Sequence, residues 1–289
     1  MATQKNLTQL VQDFTGELRT RGRATATILA YGKDLSQLAD FLTQLGKELP
    51  GAVTSSDIEA FREALRENNY TDKSASRKLN AIKTFFRWLV STKLLENDPA
   101  APVAHPKYEN QPPRILTKLE YRALRDSCRN DARIGAIIEL MLQTGMRIGE
   151  VANLRQSDLS EDKVVIKAYE SQPQREIPLN QTVRDGLARY FKFRAKNVSI
   201  DHVFVTKTGK PLLVRNIRSS IDRYFEEAGI ENATVNDLRN TFIAHQLTSG
   251  VDVVTVSRVA GHKRLSTTER YLQFIERRES GRATRLEEL

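Results

Sequence analysis

The sequence predicts a mainly α-helical protein with one small β-sheet, arranged as an N-terminal four-helix domain and a C-terminal α+β domain. Three observations carry this. Apolar residues recur at helical spacing from Leu7 to Leu89 and again after Val214. The clearest strand pattern is at residues 163–168, where Val164 and Ile166 share a face, and 175–179 can return as its hairpin partner. Five of the nine prolines lie between residues 96 and 114, which excludes helix and sets an extended linker there. The domains are therefore placed at 1–95 and 115–289, joined by 96–114.

In the first domain, Leu7, Leu10, Val11, Phe14 and Leu18 mark one helical face. A second helix is expected over 25–45, with Ile28, Tyr31, Leu35, Leu38 and Phe41 or Leu42 as its stripe. A third, over 56–67, has Ser55 or Ser56 as its cap. The fourth, over 72–93, is the most informative. At ~100° per residue, Ala75, Leu79, Ile82, Phe86 and Leu89 gather on one side, and Lys73, Arg77, Asn80, Thr84 and Arg87 on the other. From Lys73 to Leu95 there are six basic residues and no acidic one. A solvated face usually mixes signs, whereas a one-sign face carrying Asn and Thr suits a phosphate backbone with some base-edge contact. Lys73, Arg77, Asn80, Lys83, Thr84 and Arg87 are the candidate DNA-contacting residues.

In the second domain, helices are expected over 117–130 and 134–142, then a turn at Thr144 and Gly145 into a helix over 147–154. After the hairpin, Val203, Phe204 and Val205 form a third short apolar run, and everything beyond Val214 reads as helix. The composition excludes several classes. Hydrophobic residues are 39% and charged residues 28%, enough apolar material for a core, with no run long enough to span a membrane. Residues 1–14 lack the apolar core of a secretory signal, so a cytoplasmic location is expected. The lone Cys128 excludes a disulfide framework, and the four histidines are too scattered for a zinc site, so no metal is expected. The formal net charge of +9 fits a nucleic-acid partner but is too common to decide the matter alone.

Three clusters carry chemistry. Residues 144–151 place Arg147 at a glycine turn into a helix, a poor position for the helix dipole and a good one for meeting an anion. Residues 236–242 put Arg239 early in an amphipathic helix. Gly261 and His262 precede Tyr271 by less than three turns of helix, with Leu265, Ser266, Thr267 and Thr268 between. Each alone also has a structural reading: arginines paired to carboxylates, a histidine satisfied in a core, a tyrosine that packs.

Together and in this order they resemble the tyrosine recombinase (phage integrase) family, Xer-like members included. The matches are Thr-Gly-x-Arg-x-x-Glu at 144–150, Asp-Leu-Arg-x-Thr-Phe at 237–242 and Gly-His-x-x-Leu-Ser-Thr-Thr-x-x-Tyr at 261–271. Thr25, Tyr31, Asp34 and Leu35, with Ser76 through Leu89, are similar to that family's core-binding domain. The resemblance implies a site-specific recombinase that cuts and rejoins DNA through a 3′-phosphotyrosyl intermediate. Tyr271 would be its nucleophile, Arg147 and Arg239 its phosphate clamp, and His262 an aid to charge and proton balance. It implies no cofactor and no ATP. The partner would be double-stranded DNA at a specific site, bound by a homo- or hetero-tetramer on two sites that is monomeric or dimeric when free.

Two positions depart from the pattern. Asn236 stands where many members have a first histidine, and an amide can hold a phosphate but cannot shuttle a proton at neutral pH. The hairpin column that usually carries a lysine holds Glu170, which leaves Lys167 as the nearest candidate to protonate the leaving oxygen. Glu150, one turn after Arg147, either orients that arginine or forms an ordinary exposed pair. Leu286 and Leu289 are candidate anchors onto a neighbouring subunit. Two alternatives stay open: a catalytically weak DNA-binding relative, and type IB topoisomerase-like relaxation of DNA.

Overall fold

The computed structural model describes residues 5–109, 111–168, 173–195 and 200–279, and the chain separates into two compact units, 1–110 and 111–289.

The first unit is built from α1 (Leu7–Thr20), α2 (Thr25–Gln44), α3 (Ser55–Glu67) and α4 (Asp72–Ser91). Their starts follow from local chemistry. Asn6 accepts from the Gln9 amide while the Gln9 side chain returns to the Asn6 amide, a reciprocal cap that satisfies two orphan donors. At α3 the cap is Thr54, not Ser55 or Ser56, because the Asp57 carboxylate takes both the Thr54 N–H and its hydroxyl, each at 2.8 Å. The apolar faces converge on Phe14, Leu35, Leu42, Ile58, Phe85, Phe86 and Leu89. Phe14 and Phe85 meet edge to face, with centroids 5.5 Å apart. This core also takes in Ala100 and Val103 from the proline-rich segment, both fully buried. Lys83 and Arg62 fasten the same segment through the carbonyls of Ala101 and Ala104.

The second unit begins with α5 (Lys118–Ser127), α6 (Ala132–Thr144) and the short α7 (Ile148–Asn153). Strands β1 (Lys163–Ile166) and β2 (Arg175–Pro178) pair antiparallel, with Val164 opposite Ile177 and Ile166 opposite Arg175. An element the sequence analysis did not assign follows, α8 (Gln181–Phe193), capped by Asn180. Its Val183, Leu187 and Tyr190 are buried at helical spacing against α6, and Gly186 lets the two backbones approach, with Ala136 Cα 3.8 Å from where its Cβ would stand. The run Val203–Val205 is buried but adds no strand to the sheet among the described residues. The Tyr190 hydroxyl donates to the Val203 carbonyl and accepts from the Val205 N–H, both at 3.1 Å, so a side chain takes bonds that a ladder would use.

Helices α9 (Val214–Glu227), α10 (Val235–Thr248), α11 (Val253–Ala260) and α12 (Ser266–Glu279) complete the unit. Phe242, Ile243, Leu247, Val256, Ala260 and Tyr271 form a small core shared by the last three helices. No helix among the described residues is long and apolar enough to cross a membrane.

Candidate functional site

Helix α6 ends at Gly145, whose φ is 64° and whose Cβ, if it had one, would enter the Phe242 ring. Only glycine fits there. The turn makes Arg147 the N-cap of α7, and its backbone N–H donates to Glu150 Oε2 at 2.8 Å. The Arg147 side chain donates to Glu150 Oε1 at 3.1 Å and to the Gly261 carbonyl at 2.7 Å. Glu150 is buried and is gripped on both oxygens by Arg175 of β2, at 2.9 and 2.7 Å. Arg175 Nε in turn donates to the Val259 carbonyl at 2.8 Å. Gly261 has φ 68°, and a Cβ on it would stand 2.9 Å from the Arg175 guanidinium. These contacts tie β2, α7 and the end of α11 together. Burial pushes the Glu150 carboxyl up, but Arg175 and then Arg147 hold it below the usual carboxylate range.

Arg239 lies in the second turn of α10, behind a cap in which Asp237 takes the Thr234 N–H and hydroxyl. Its side chain is buried and donates to the Gly145 carbonyl. Burial, and next the nearby Arg147 charge, lower its pKa to about 9. It therefore remains a cation at neutral pH, but one poorly compensated by its surroundings. Arg147 and Arg175 divide a single carboxylate, and Arg239 has none in hydrogen-bond contact among the described residues. Such a group is short of an anion.

His262 follows the left-handed Gly261, and its Nδ1 lies 2.7 Å from the hydroxyl of the fully buried Thr268. Burial and the charges of Arg239, Arg147 and Arg175 lower the imidazole pKa to about 4, so it is neutral at physiological pH. The Tyr271 ring lies nearly parallel to it, centroids 6.4 Å apart. Tyr271 is 9% exposed, and its hydroxyl donates to Asn240 Oδ1 at 2.8 Å. Burial pushes its phenol up, while Arg239 pulls the other way.

The structure thus gathers Arg147, Arg239, His262 and Tyr271 into one cluster. Asn236 is exposed at the start of α10 and its side chain makes no hydrogen bond among the described residues. Lys167, just beyond β1, is exposed and paired with Asp158 at 2.6 Å, with no contact to the cluster. Glu170, Leu286 and Leu289 lie outside the described residues. On α4, Lys73, Arg77, Asn80 and Arg87 are exposed and Thr84 half-buried, its hydroxyl returned to the Asn80 carbonyl. Arg77 is paired with Asp34, which also holds the buried Lys78, and Lys83 is half-buried against Ala101.

Sequence reasoning missed two residues. Arg175 had a signal, an arginine on the inward face of a strand opposite Ile166. Asn240 had a weaker one, a second asparagine one turn after Asn236. Among the described residues no group of metal-ligating side chains assembles.

The profile of the phage integrase family matches residues 113–277, and that of the phage integrase N-terminal SAM-like domain matches 11–93. The tyrosine recombinase XerC of Roseiflexus sp. (strain RS-1) is 30% identical over 263 residues, covering 87% of this chain and 84% of its own. The Tn1549 transposon integrase in complex with transposon right end DNA superposes with a TM-score of 0.78 at 17% identity, covering 95% of this chain and 99% of the other. A lambda integrase tetramer bound to a Holliday junction gives 0.74 at 16% identity, covering 90% and 78%. At these identities the two structures speak for the fold.

Proposed function

The chain belongs to the phage integrase family, and on that premise we propose that it is a site-specific DNA recombinase that cuts and rejoins duplex DNA through a 3′-phosphotyrosyl intermediate. The observation that carries this is Tyr271, its hydroxyl buried in the same cluster as Arg239, Arg147 and His262. A phosphodiester supplies the anion that the arginine cluster lacks. Attack on phosphorus gathers charge on the non-bridging oxygens, and forked guanidinium donors held in place beforehand stabilise that charge without reorganising.

The reaction then runs by exchange. The Tyr271 phenol passes its proton to the neutral His262 as its oxygen bonds to phosphorus, the bond to the 5′-oxygen breaks, and that oxygen leaves as a 5′-hydroxyl after taking a proton. Lys167 is the proposed donor of that proton, and its pair with Asp158 must open first. Asn236 donates its amide hydrogen to a phosphate oxygen. His262, neutral in the free protein, gains proton affinity when a phosphate offsets the arginines around it. The phosphotyrosyl ester retains the energy of the phosphodiester, so a 5′-hydroxyl from the second duplex can rejoin the strand without ATP or cofactor. Two DNA sites then call for four active chains, in line with the lambda integrase tetramer on its Holliday junction. Lys73, Arg77, Asn80, Lys83, Thr84 and Arg87 of the first unit are proposed to contact the duplex. We place the protein in the cytoplasm, with its DNA.

The test is covalent trapping on nicked duplex DNA from the gene's own neighbourhood. The expected result is a protein–DNA adduct that survives denaturation and is absent with Tyr271→Phe. Tight binding with no adduct from the wild type would leave a DNA-binding relative without the chemistry.

A further inference from the structure

The hydrogen bond from Tyr271 to Asn240 has a polarity set by a third residue. Asn240 Nδ2 donates to Asp237 Oδ1 at 3.0 Å, while Asp237 Oδ2 caps α10 through Thr234. A carboxylate accepts only, so it must face the amide nitrogen, and the amide oxygen is left to face the tyrosine. That oxygen can accept a hydrogen bond but cannot act as a base near neutral pH. The phenol therefore has to donate, its hydrogen directed at Asn240 and its oxygen fixed in place.

We infer that Asn240 is a positioning residue for the nucleophile: its amide, oriented by Asp237, holds the Tyr271 hydroxyl in place and in its protonated form before DNA arrives. The consequence rests on the recombinase reading, but the hydrogen bond does not. In the free protein the tyrosine is located yet not activated, because the group that locates it takes no proton. Activation must come with the substrate, when the phosphate enters beside Arg239 and a proton acceptor other than Asn240 takes over. The ionisable groups acting on this phenol are Arg239 and Asp237 from α10 and Arg270 from its own helix, with the neutral His262 stacked against the ring.

The experiment compares Asn240→Ala and Asn240→Asp with wild type, in two readouts. The first is the phenol titration of Tyr271 in the DNA-free protein, followed by NMR with tyrosine isotope-labelled at the phenol carbon and assigned by the signal lost in Tyr271→Phe. Asn240→Ala removes the acceptor that favours the protonated form, so the phenol pKa falls, by about one unit. Asn240→Asp keeps an acceptor and adds negative charge, so the pKa rises. The second readout is the single-turnover cleavage rate at saturating DNA. In Asn240→Ala it should fall about tenfold, with DNA affinity within about twofold of wild type. Opposite titration shifts with a cleavage defect separate from binding support the inference. A titration unmoved in both variants overturns it, because a side chain that only packs would not shift the phenol in opposite directions. Shifts without slower cleavage in Asn240→Ala overturn the positioning role. A wild type that forms no adduct strikes the recombinase reading and with it that role, while the titration still decides whether Asn240 holds the phenol.

Discussion

In the second unit Arg175 and Arg239 are buried, their donors engaged by the Val259 carbonyl, the Glu150 carboxylate and the Gly145 carbonyl. In the first unit Lys73 and Arg87 stand in solvent on one side of α4. A buried guanidinium has already lost its rotamer freedom, so an anion in one particular place gains a donor that does not have to reorganise. An exposed one keeps that freedom and can follow a phosphate backbone whatever its local geometry, at the cost of strong screening by salt. On the proposed function, the contrast predicts that the second unit sets the rate and the first the affinity.

The largest effect should come from Arg239. Arg239→Ala should lower the single-turnover cleavage rate by about 10³-fold, in the range for removing a preorganised donor to a transition-state oxygen, while DNA affinity changes less than about tenfold. Arg239→Lys should recover little, since an ammonium lacks the planar fork. Substantial recovery would mean that charge alone suffices and that burial in one geometry is incidental.

Arg175 comes next, and its effect is on stability. Arg175→Met leaves Glu150 buried with only Arg147 as a partner and should cost about 3 kcal/mol in urea denaturation of the second unit. Adding Glu150→Gln removes the orphaned charge and should recover part of that loss. If the single variant is as stable as wild type, the Glu150–Arg175 pair is not what locks α7 to the end of α11.

The cluster also makes the fold sensitive to acid. The His262 pKa is depressed from 6.5 to about 4 in the folded chain. Its contribution is therefore fully present above pH 6.5 and is lost as the pH falls towards 4, where the unfolded chain takes a proton that the folded chain refuses. His262→Asn should flatten this part of the stability profile by on the order of 2 kcal/mol between the two limits, less than the full shift would give because the ring is only partly buried and water screens it. His105 in the first unit is depressed in the same sense by burial and then Lys83, and it shares the slope that remains with the lowered carboxylates, Glu150 among them, which add to it towards pH 4. An unchanged slope would place the His262 ring in water rather than against the arginines.

How much of this was legible in the sequence differs between the same two regions. The four helices of the first unit and the one-sign face of α4 could be read because local periodicity decides them, and the structure differs only in details such as Thr54 capping α3. Arg147, Arg239, His262 and Tyr271 were legible as spaced motifs, although their separation in the chain hides the contacts that join them. Arg175 and Asn240 carried local signals too weak to assign them, because what they do depends on partners distant in sequence: Arg175 and Glu150 are 25 residues apart, Asn240 and Tyr271 are 31. Helix α8 escaped because Gly186 weakens its helical signal, and that glycine makes sense only with α6 packed against it.

The smallest effect is also the one that separates residues within α4. Arg87 is exposed and hydrogen-bonded to nothing among the described residues, whereas Arg77 is paired with Asp34. Arg77 must give up part of that carboxylate to reach a phosphate, so its net gain on binding is smaller than that of Arg87. Arg87→Ala should weaken DNA binding a few-fold and lower the slope of log K against log salt by about 1, the signature of one lost phosphate contact. Arg77→Ala should change that slope less. It should also loosen the first unit slightly, because Asp34 then keeps only Lys78 and its own burial. A loss equal across DNA sequences would assign Arg87 to the backbone, and a loss confined to one site would assign it to a base edge. If Arg77→Ala lowers the slope and Arg87→Ala leaves it unchanged, the duplex lies further towards the α2 side of α4 than its most exposed stripe indicates, and the division between a buried clamp and a free surface would need redrawing around Asp34.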